Sequence, residues 1–138
     1  MYHPAGNPDA EFIELQNIGW SSLALGDLRL AGGVAYDFAE AGIGQLPAGE
    51  RLIIAKNPEL IRAMPGGRQA TVLGPWSGKL SNNGEAIRLE TDWGETVFSV
   101  AYKGSWHGQS DGLGLSLALR DVHSAAALWS SKAGWMPG

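Results

Sequence analysis

The sequence predicts an all-β protein, a β-sandwich of about seven to nine strands with one short helix. Three observations favour this fold class. Short apolar runs with period-two alternation recur at a spacing of roughly 8–12 residues. Turn residues separate these runs, since the 138 residues include 20 glycines and 7 prolines. No series of helical patterns alternates with the strands, so a parallel α/β sheet is not expected.

The first three strands are predicted in the N-terminal third of the chain. Residues 11–17 form the first, because Ile13 and Leu15 fall on one face of an extended segment and Phe12, Glu14 and Gln16 fall on the other. Leucines spaced two apart over residues 23–30 predict a second strand that is kinked or bulged at its centre. A short third strand is predicted over residues 34–38.

The only convincing helix signal follows an apolar strand predicted over residues 51–55. Asn57 can cap a helix and Pro58 suits its first position. The helix is expected to end at about Met64, because Pro65 and the two glycines after it stop it.

A β-hairpin is predicted in the C-terminal half. Residues 85–90 and 95–102 flank the turn 91–94, in which Gly94 occupies the position that favours a positive φ. Four alternating leucines over residues 113–120 predict a further strand that faces the core. The tail that follows is expected to be irregular.

Composition excludes several classes of protein. Hydrophobic residues make up 44% and charged residues 17%, which is not the composition of a disordered chain. The net charge is −4 and the basic residues are scattered, so nucleic acid is an unlikely partner. Cysteine is absent, which excludes disulfides, zinc–thiolate sites and thiol nucleophiles. No apolar run reaches the roughly 18–20 residues that a membrane-spanning helix needs.

The start of the sequence carries no basic segment followed by an apolar one, so no signal peptide is predicted in it. Residues 1–10 are expected to be an N-terminal extension, and residues 11–138 to be one domain. We expect this domain to be a module of a longer protein.

Six short sequence motifs occur in a fixed order along the chain. Each motif alone is weak evidence for a family, but the six in this order are specific. They are Glu-Phe-Ile-Glu-Leu-Gln-Asn at 11–17, Leu-Gly-Asp-Leu-Arg-Leu at 25–30, Leu-Pro-Ala-Gly-Glu-Arg-Leu-Ile-Ile-Ala at 46–55, Gly-Pro-Trp-Ser-Gly-Lys-Leu-Ser-Asn-Asn-Gly-Glu at 74–85 with its continuation to 102, Asp-Gly-Leu-Gly-Leu-Ser-Leu at 111–117, and Leu-Trp-Ser at 128–130 with the closing Pro-Gly. In these segments the chain resembles the lamin tail domain, in its prokaryotic form.

The resemblance implies an immunoglobulin-like β-sandwich without catalytic residues. Prokaryotic lamin tail domains often belong to secreted or envelope-associated multidomain proteins, and the animal domains act by binding partners. We therefore expect a non-catalytic binding or scaffolding module of a larger, exported or envelope-associated bacterial protein, located outside the cell or in its envelope. Its expected partner is a protein or a cell-surface polysaccharide.

The six tryptophans are the unusual feature of the composition. Trp129 and either Trp20 or Trp76 are expected to fill the ends of the core. Trp93 at the hairpin tip and Trp106 in a glycine-rich loop are expected either to be exposed for binding or to cover the ends of the sandwich. The candidate binding residues are Trp93, Trp106 and His107. A glycan-binding module that uses exposed tryptophans is the main alternative function.

Residues 108–112 match the letters G-x-S-x-G, which raises the alternative of a small serine hydrolase that uses Ser110 and His107. A nucleophile elbow needs a strand before the serine and a helix after it. Here a loop precedes and a predicted strand follows, so Ser110 is expected to lie in a polar turn. No catalytic residue is predicted.

Oxygen-rich loops make calcium the one cofactor to consider, with Asp92 and Asp111 as candidate ligands. Their spacing does not fit an EF-hand loop, and such residues also form ordinary turns. The histidines lie too far apart in sequence for a zinc motif. Glu14 is expected to brace a neighbouring turn by accepting backbone hydrogen bonds.

Overall fold

The computed structural model describes residues 1–138 and confirms the all-β sandwich. Its strands are β1 (Phe12–Gln16), β2 (Leu23–Ala24), β3 (Leu28–Gly32), β4 (Val34–Asp37), β5 (Gln45–Leu46), β6 (Arg51–Ala55), β7 (Val72–Leu73), β8 (Ser77–Gly78), β9 (Gly84–Thr91), β10 (Thr96–Lys103), β11 (Leu117–Leu119) and β12 (Trp135–Pro137). The single α-helix, α1, is Pro58–Ala63, and short 3₁₀ helices span Pro8–Ala10, Phe38–Ala41, Gly108–Ser110, Ala126–Ser130 and Lys132–Gly134. None of these helices is long and apolar enough to cross a membrane.

Two principal sheets form the layers of the sandwich. One has the strand order β1-β6-β7, and the other has the order β10-β9-β3-β4-β8. β2 pairs with β5 and β11 pairs with β12 as small separate ribbons. A cluster of 16 buried apolar residues holds the layers together and includes Leu52 and Ile54 of β6 and Leu30 and Leu89 of the facing sheet.

The strand β1 shows the alternation that its sequence predicts. Ile13 and Leu15 pack against the main core, whereas Phe12 packs on the opposite face against a second cluster that includes Ile61 of α1. The helix begins as expected, since the side chain of Asn57 accepts a hydrogen bond from the backbone N–H of Glu59 at 3.2 Å. The helix therefore covers the outer face of the three-stranded sheet.

The predicted hairpin is confirmed and is the longest regular unit of the fold. β9 and β10 each contain eight residues and pair from Lys103 opposite Gly84 to Thr96 opposite Glu90. Gly94 in the turn has a φ of 88°, a left-handed conformation that glycine adopts without strain.

The second predicted strand is divided between different sheets. β2 pairs with β5, whereas β3 lies between β4 and β9. The backbone turns between them, where Leu28 N–H donates to the carbonyl of Leu25 at 3.0 Å. Both of these leucines are buried, so a turn rather than a bulge brings the leucines of this segment to the core.

The prediction of a core strand over residues 113–120 is wrong for its first half. Only Leu117–Leu119 is a strand, and the side chain of Leu113 is 73% exposed. The physical reason is that Gly112 and Gly114 have φ values of 80° and 96°, which interrupt the extended conformation on both sides of Leu113. The tail is less irregular than expected, because β12 pairs with β11.

Residues 1–10 pack against the sandwich. Tyr2 belongs to the main core, and its hydroxyl donates to the carbonyl of Gly104 at 3.0 Å. Its ring lies 5.0 Å from the ring of Tyr102. The segment expected to be an extension therefore contributes a core side chain.

Two glutamates hold the segment that leads into β9. Glu11 is 4% exposed and accepts the N–H of Leu80 at 2.9 Å. Glu85 accepts the N–H of Ser81 at 2.8 Å. The expectation that Glu14 has such a role is wrong, because Glu14 is exposed and pairs with Arg51 at 3.2 Å. Burial raises the pKa of the Glu11 carboxyl above its ordinary value of 4.5.

Two leucine substitutions test the assignment of the core. Leu30→Ala should lower the free energy of unfolding by about 2–5 kcal/mol, because it leaves a cavity between the sheets. Leu113→Ala should change it by no more than about 0.5 kcal/mol, because this side chain lies on the surface. Urea unfolding followed by tryptophan fluorescence measures both effects. Comparable losses for the two variants would contradict the interruption at Gly112 and Gly114.

A second prediction concerns the buried carboxyl of Glu11. The pKa of Glu11 is raised in the folded state above its ordinary value of 4.5. Just above pH 4.5, the carboxyl is therefore still protonated in the folded protein but mostly ionised in the unfolded chain. The stability that Glu11 contributes therefore falls as the pH rises through the interval between the two pKa values. Glu11→Gln keeps an oxygen to accept the N–H of Leu80 and cannot ionise, so its stability relative to the native protein should increase across this interval.

Urea unfolding at a series of pH values measures this difference. Glu14→Gln is the control for loss of one carboxylate from the surface. A difference between Glu11→Gln and the native protein that stays constant with pH would contradict the burial of a titrating Glu11.

Candidate recognition surface

Trp93 lies at the tip of the β9–β10 hairpin and is exposed, which is one of the two alternatives that the sequence left open. The tip is closed by a hydrogen bond from Thr91 N–H to the carbonyl of Glu95 at 2.8 Å. The Trp93 side chain is 69% exposed, and its indole N–H donates to the carboxylate of Glu95 at 3.3 Å. One face of a large aromatic ring is therefore presented to solvent at a defined position.

Trp20 is fully exposed, although the sequence left it as an alternative to Trp76 for a position in the core. Its loop is organised by Asn17, which is buried and bonds Ser21 and Leu46 through its amide N–H groups at 2.9 Å each. The amide oxygen of Asn17 accepts the N–H of Gly19. The buried Asn17 amide thus provides hydrogen-bond partners for the backbone of the loop, and the Trp20 side chain points into solvent.

An apolar groove of about 170 Å³ opens between the two sheets beside this loop. Leu15 and Gln16 of β1 form one wall, and Val97 and Phe98 of β10 form the other. Its remaining lining residues come from the segments on either side of β2 and from the core, namely Asn17, Ile18, Gly19, Leu23, Leu25, Leu28, Phe38, Leu46, Leu52 and Leu89. The groove is thus the place where the core of the sandwich reaches solvent.

The hairpin tip lies at the same end of the sandwich as the groove. Asp92 N–H donates to the carbonyl of Asp27 at 2.9 Å, and Asp27 precedes Leu28 of the groove. Five large apolar side chains that are exposed therefore collect at one end: Ile18, Trp20, Leu23, Trp93 and Val97. We call this region the open end.

The charges at the open end are predominantly negative. Asp27, Asp92 and Glu95 lie at the hairpin tip or beside it, and Glu50 lies next to Asn17, whose N–H donates to its carbonyl. All four carboxylates are exposed, and none forms an ion pair with a basic side chain. We call these four residues the acidic rim.

Trp106 does not belong to this surface. Of the two alternatives open for Trp106, exposure for binding is wrong and cover of one end of the core is confirmed, because the side chain is 9% exposed and packs in the main core. The loop that carries it is pressed against residues 82–83, where a Cβ on Gly104 would overlap the carbonyl of Asn82. Tyr2 also binds the carbonyl of Gly104, so the loop is held inward and Trp106 closes the core.

Of the tryptophans expected to fill the ends of the core, Trp76 does so and Trp129 does not. Trp76 is buried and belongs to the main cluster. Trp129 is half-buried and meets the ring of Phe98 edge to face, with 5.7 Å between the centroids. Trp76 is thus the one of the two alternatives, Trp20 and Trp76, that fills the core.

His107 is a half-buried residue at the start of the 3₁₀ helix Gly108–Ser110. Its Nε2 atom is buried and has no hydrogen-bond partner. Trp106, its neighbour, lies in the core, whereas Trp93 lies at the tip of the hairpin on the opposite end of β10. The three predicted binding residues therefore do not form a common site.

Ser110 is completely buried at the end of the same 3₁₀ helix. Its hydroxyl donates to the carbonyl of Ser116 at 3.0 Å, and no hydrogen bond joins it to the imidazole of His107. A nucleophile must reach its substrate and its base, and neither contact is available to Ser110 here. The geometry is that of a polar side chain that fixes a turn.

The two candidate calcium ligands lie at opposite ends of the hairpin. Asp92 belongs to its tip, whereas Asp111 pairs with Nδ1 of His3 at 2.7 Å, beside Tyr2 and the end of β10. Eight strand residues separate the two ends, about 27 Å at roughly 3.4 Å per residue. No group of three or more acidic or histidine side chains is arranged to hold a metal ion.

Trp20 and the groove are the features of the candidate surface that the sequence did not predict. The signal for the loop was present in Asn17, Gly19 and the serine pair that follows Trp20, which together mark a turn. The groove gave no signal, because it depends on how far apart β1 and β10 lie in the folded protein.

Acrylamide quenching of tryptophan emission tests the positions of these rings. Trp20→Phe should remove emission that is readily quenched, because Trp20 is in solvent. Trp106→Phe should remove emission that resists quenching, because Trp106 is in the core. If Trp106→Phe instead removes readily quenched emission, Trp106 lies on the surface and its burial in the core is contradicted.

Comparison with the models of known protein families finds no match, and neither does comparison with curated proteins. The resemblance to the lamin tail domain stays a prediction from the sequence motifs.

Proposed function

We propose that the chain is a non-catalytic binding module of the lamin tail type that recognises a protein or surface partner through its open end. The observation that carries this proposal is the collection of two exposed tryptophans around an apolar groove. Soluble domains rarely leave such side chains together in water unless a partner covers them.

The energetics of association favour this surface. Burial of a large apolar side chain stabilises a complex by about 1.5–3 kcal/mol, and the open end offers several such side chains. Tryptophan is enriched among the residues that dominate binding energy, because a rigid ring buries a large area and loses little conformational entropy. Trp20 and Trp93 are therefore the expected anchors.

The residues that carry the lamin tail resemblance are used mainly inside the fold. Glu85 accepts the N–H of Ser81, and the hydroxyl of Tyr102 donates to the carbonyl of Ser81 at 2.6 Å. A Cβ at Gly33 would overlap the Glu85 carboxylate, so a side chain there would displace this group from the N–H of Ser81. These contacts support a structural role for the shared motifs and leave recognition to the open end.

The same resemblance supports the wider setting of the module. We place it in a larger, exported or envelope-associated bacterial protein. The acidic rim supports a partner other than nucleic acid, because phosphates would be repelled from this end. The buried hydroxyl of Ser110 supports a function without covalent chemistry.

Glycan binding is the second candidate, and the position of Trp93 favours it. The indole N–H bonds the Glu95 carboxylate, which fixes the ring at the hairpin tip with a face in solvent. An aromatic face held in this way can stack on a sugar ring. This candidate requires Trp93 and gives no role to the groove.

The test uses a random-peptide display library and an array of polysaccharides. The native protein is compared with the double variant Trp20→Ala/Trp93→Ala and with the control Leu113→Ala/Met136→Ala, which removes two other exposed apolar side chains. Binding should fall by about tenfold or more in the first variant, a loss of at least about 1.4 kcal/mol. The control should bind as the native protein does.

The outcomes separate the candidates. Peptide binding that depends on both tryptophans supports the proposal. Polysaccharide binding that is lost with Trp93→Ala alone supports the glycan candidate. Ligands that bind both double variants equally would place recognition elsewhere, and hydrolysis of a generic ester that Ser110→Ala abolishes would overturn the non-catalytic proposal.

A further inference from the structure

The strand β1 has one free edge, and part of it lies beside the groove. β1 pairs with β6 on one side only. At the start of the other side, Phe12 exchanges two backbone hydrogen bonds with Met1. Nothing in the fold pairs with the backbone that follows, from Glu14 to Gln16.

The direction of these backbone groups follows from their neighbours. Asn17 N–H donates to the carbonyl of Glu50, and Lys56 N–H donates to the carbonyl of Glu11, so the odd-numbered residues face β6. Alternate residues of an antiparallel strand face opposite sides. The N–H and C=O groups of Glu14 and Gln16 therefore point away from the sheet, unpaired.

The opposite wall of the groove is less available for pairing. β10 is the edge of the five-stranded sheet, but Ala101 N–H donates to the hydroxyl of Ser130 at 2.9 Å. The ring of Trp129 also packs against the side chain of Phe98 on the same strand. An incoming strand therefore finds its hydrogen-bond partners on β1 and its apolar contacts in the groove.

Charge distinguishes between possible occupants. The acidic rim surrounds this edge with four carboxylates that form no ion pair, and Arg51, which lies opposite Gln16 on β6, is already paired with Glu14. A second copy of the chain would bring the same carboxylates against themselves. A segment with Lys or Arg at its ends would instead place its charges near the rim and near the faces of Trp20 and Trp93.

From these observations we infer that the open end binds an extended peptide segment of another protein as an added strand on β1. Its backbone pairs with Glu14 and Gln16, its alternate apolar side chains enter the groove, and its flanking basic residues meet the acidic rim. This mode of recognition takes affinity from the backbone and specificity from alternate side chains. The inference rests on the proposed function and names the partner class for that surface.

Gln16→Pro is the variant that tests strand addition. Proline removes the outward N–H of residue 16 and leaves the hydrogen bonds between β1 and β6 intact, since edge strands tolerate proline where the N–H faces solvent. Gln16→Ala is the matched control, because it removes the same side chain and keeps the N–H. Thermal melts establish that both variants are folded.

The probe is the same random-peptide display library, selected on the native protein. Peptides with alternating apolar residues between basic ends should be enriched. They should bind Gln16→Pro several-fold to about tenfold more weakly than they bind Gln16→Ala, because both variants lack the glutamine side chain and only Gln16→Pro also loses one backbone hydrogen bond. Their affinity should also fall as the salt concentration rises, because the rim is exposed.

Backbone methylation of an enriched peptide gives a test that needs no protein variant. One version carries N-methyl groups on alternate amides, and a second version carries them on the other amides. Only one of the two methylated peptides should lose binding, because only one alternate set of the peptide's N–H groups faces β1. Equal binding of both versions would overturn strand addition.

Failure of this inference differs from failure of the proposed function. Suppose that ligands depend on Trp20 and Trp93 but bind Gln16→Ala and Gln16→Pro equally. This result would overturn the addition of a peptide strand to β1 and would leave the proposed binding module in place. Concentration-dependent dimerisation that Gln16→Pro abolishes would overturn it in favour of a second copy. Polysaccharide as the sole ligand of the open end would also overturn it.

Discussion

The hydrogen bond between the carboxyl of Glu11 and the N–H of Leu80 ties the two layers of the sandwich together at one end. Glu11 directly precedes β1 of the three-stranded sheet, and Leu80 directly precedes the segment that leads into β9 of the other sheet. Glu85 holds the next N–H, that of Ser81, so two carboxylates fix one short segment. A buried carboxyl is costly unless it is hydrogen-bonded, and here that requirement fixes where β1 must lie relative to β9.

Because this end is held so firmly, the two ends of the sandwich differ in character. Tyr2, Tyr102 and Trp106 fill the end near Glu11 with aromatic rings and hydroxyl bonds. At the opposite end β1 and β10 have no equivalent link, and the groove separates Gln16 from Val97. The fold thus concentrates its structural contacts at one end and leaves apolar surface at the other.

Local patterns predicted what depends on local contacts. The alternation in β1, the Asn57 cap and the turn at Gly94 each involve residues close in sequence, and each is confirmed. Burial of Trp106 depends instead on Tyr2, about a hundred residues away, which holds its loop inward. The choice of Glu11 rather than Glu14 as the buried carboxyl likewise depends on Leu80, and no spacing within β1 indicates it.

The contact between residues 126–130 and β10 has a consequence for solubility. β10 is an eight-residue strand at the edge of the larger sheet, and an uncovered edge of that length is a template for intermolecular pairing. Ser130 occupies the N–H of Ala101, and the ring of Trp129 packs against the side chain of Phe98. The 3₁₀ helix Ala126–Ser130 therefore hinders edge-to-edge pairing at this part of β10, while the outward backbone groups of Glu14 and Gln16 in β1 remain unpaired.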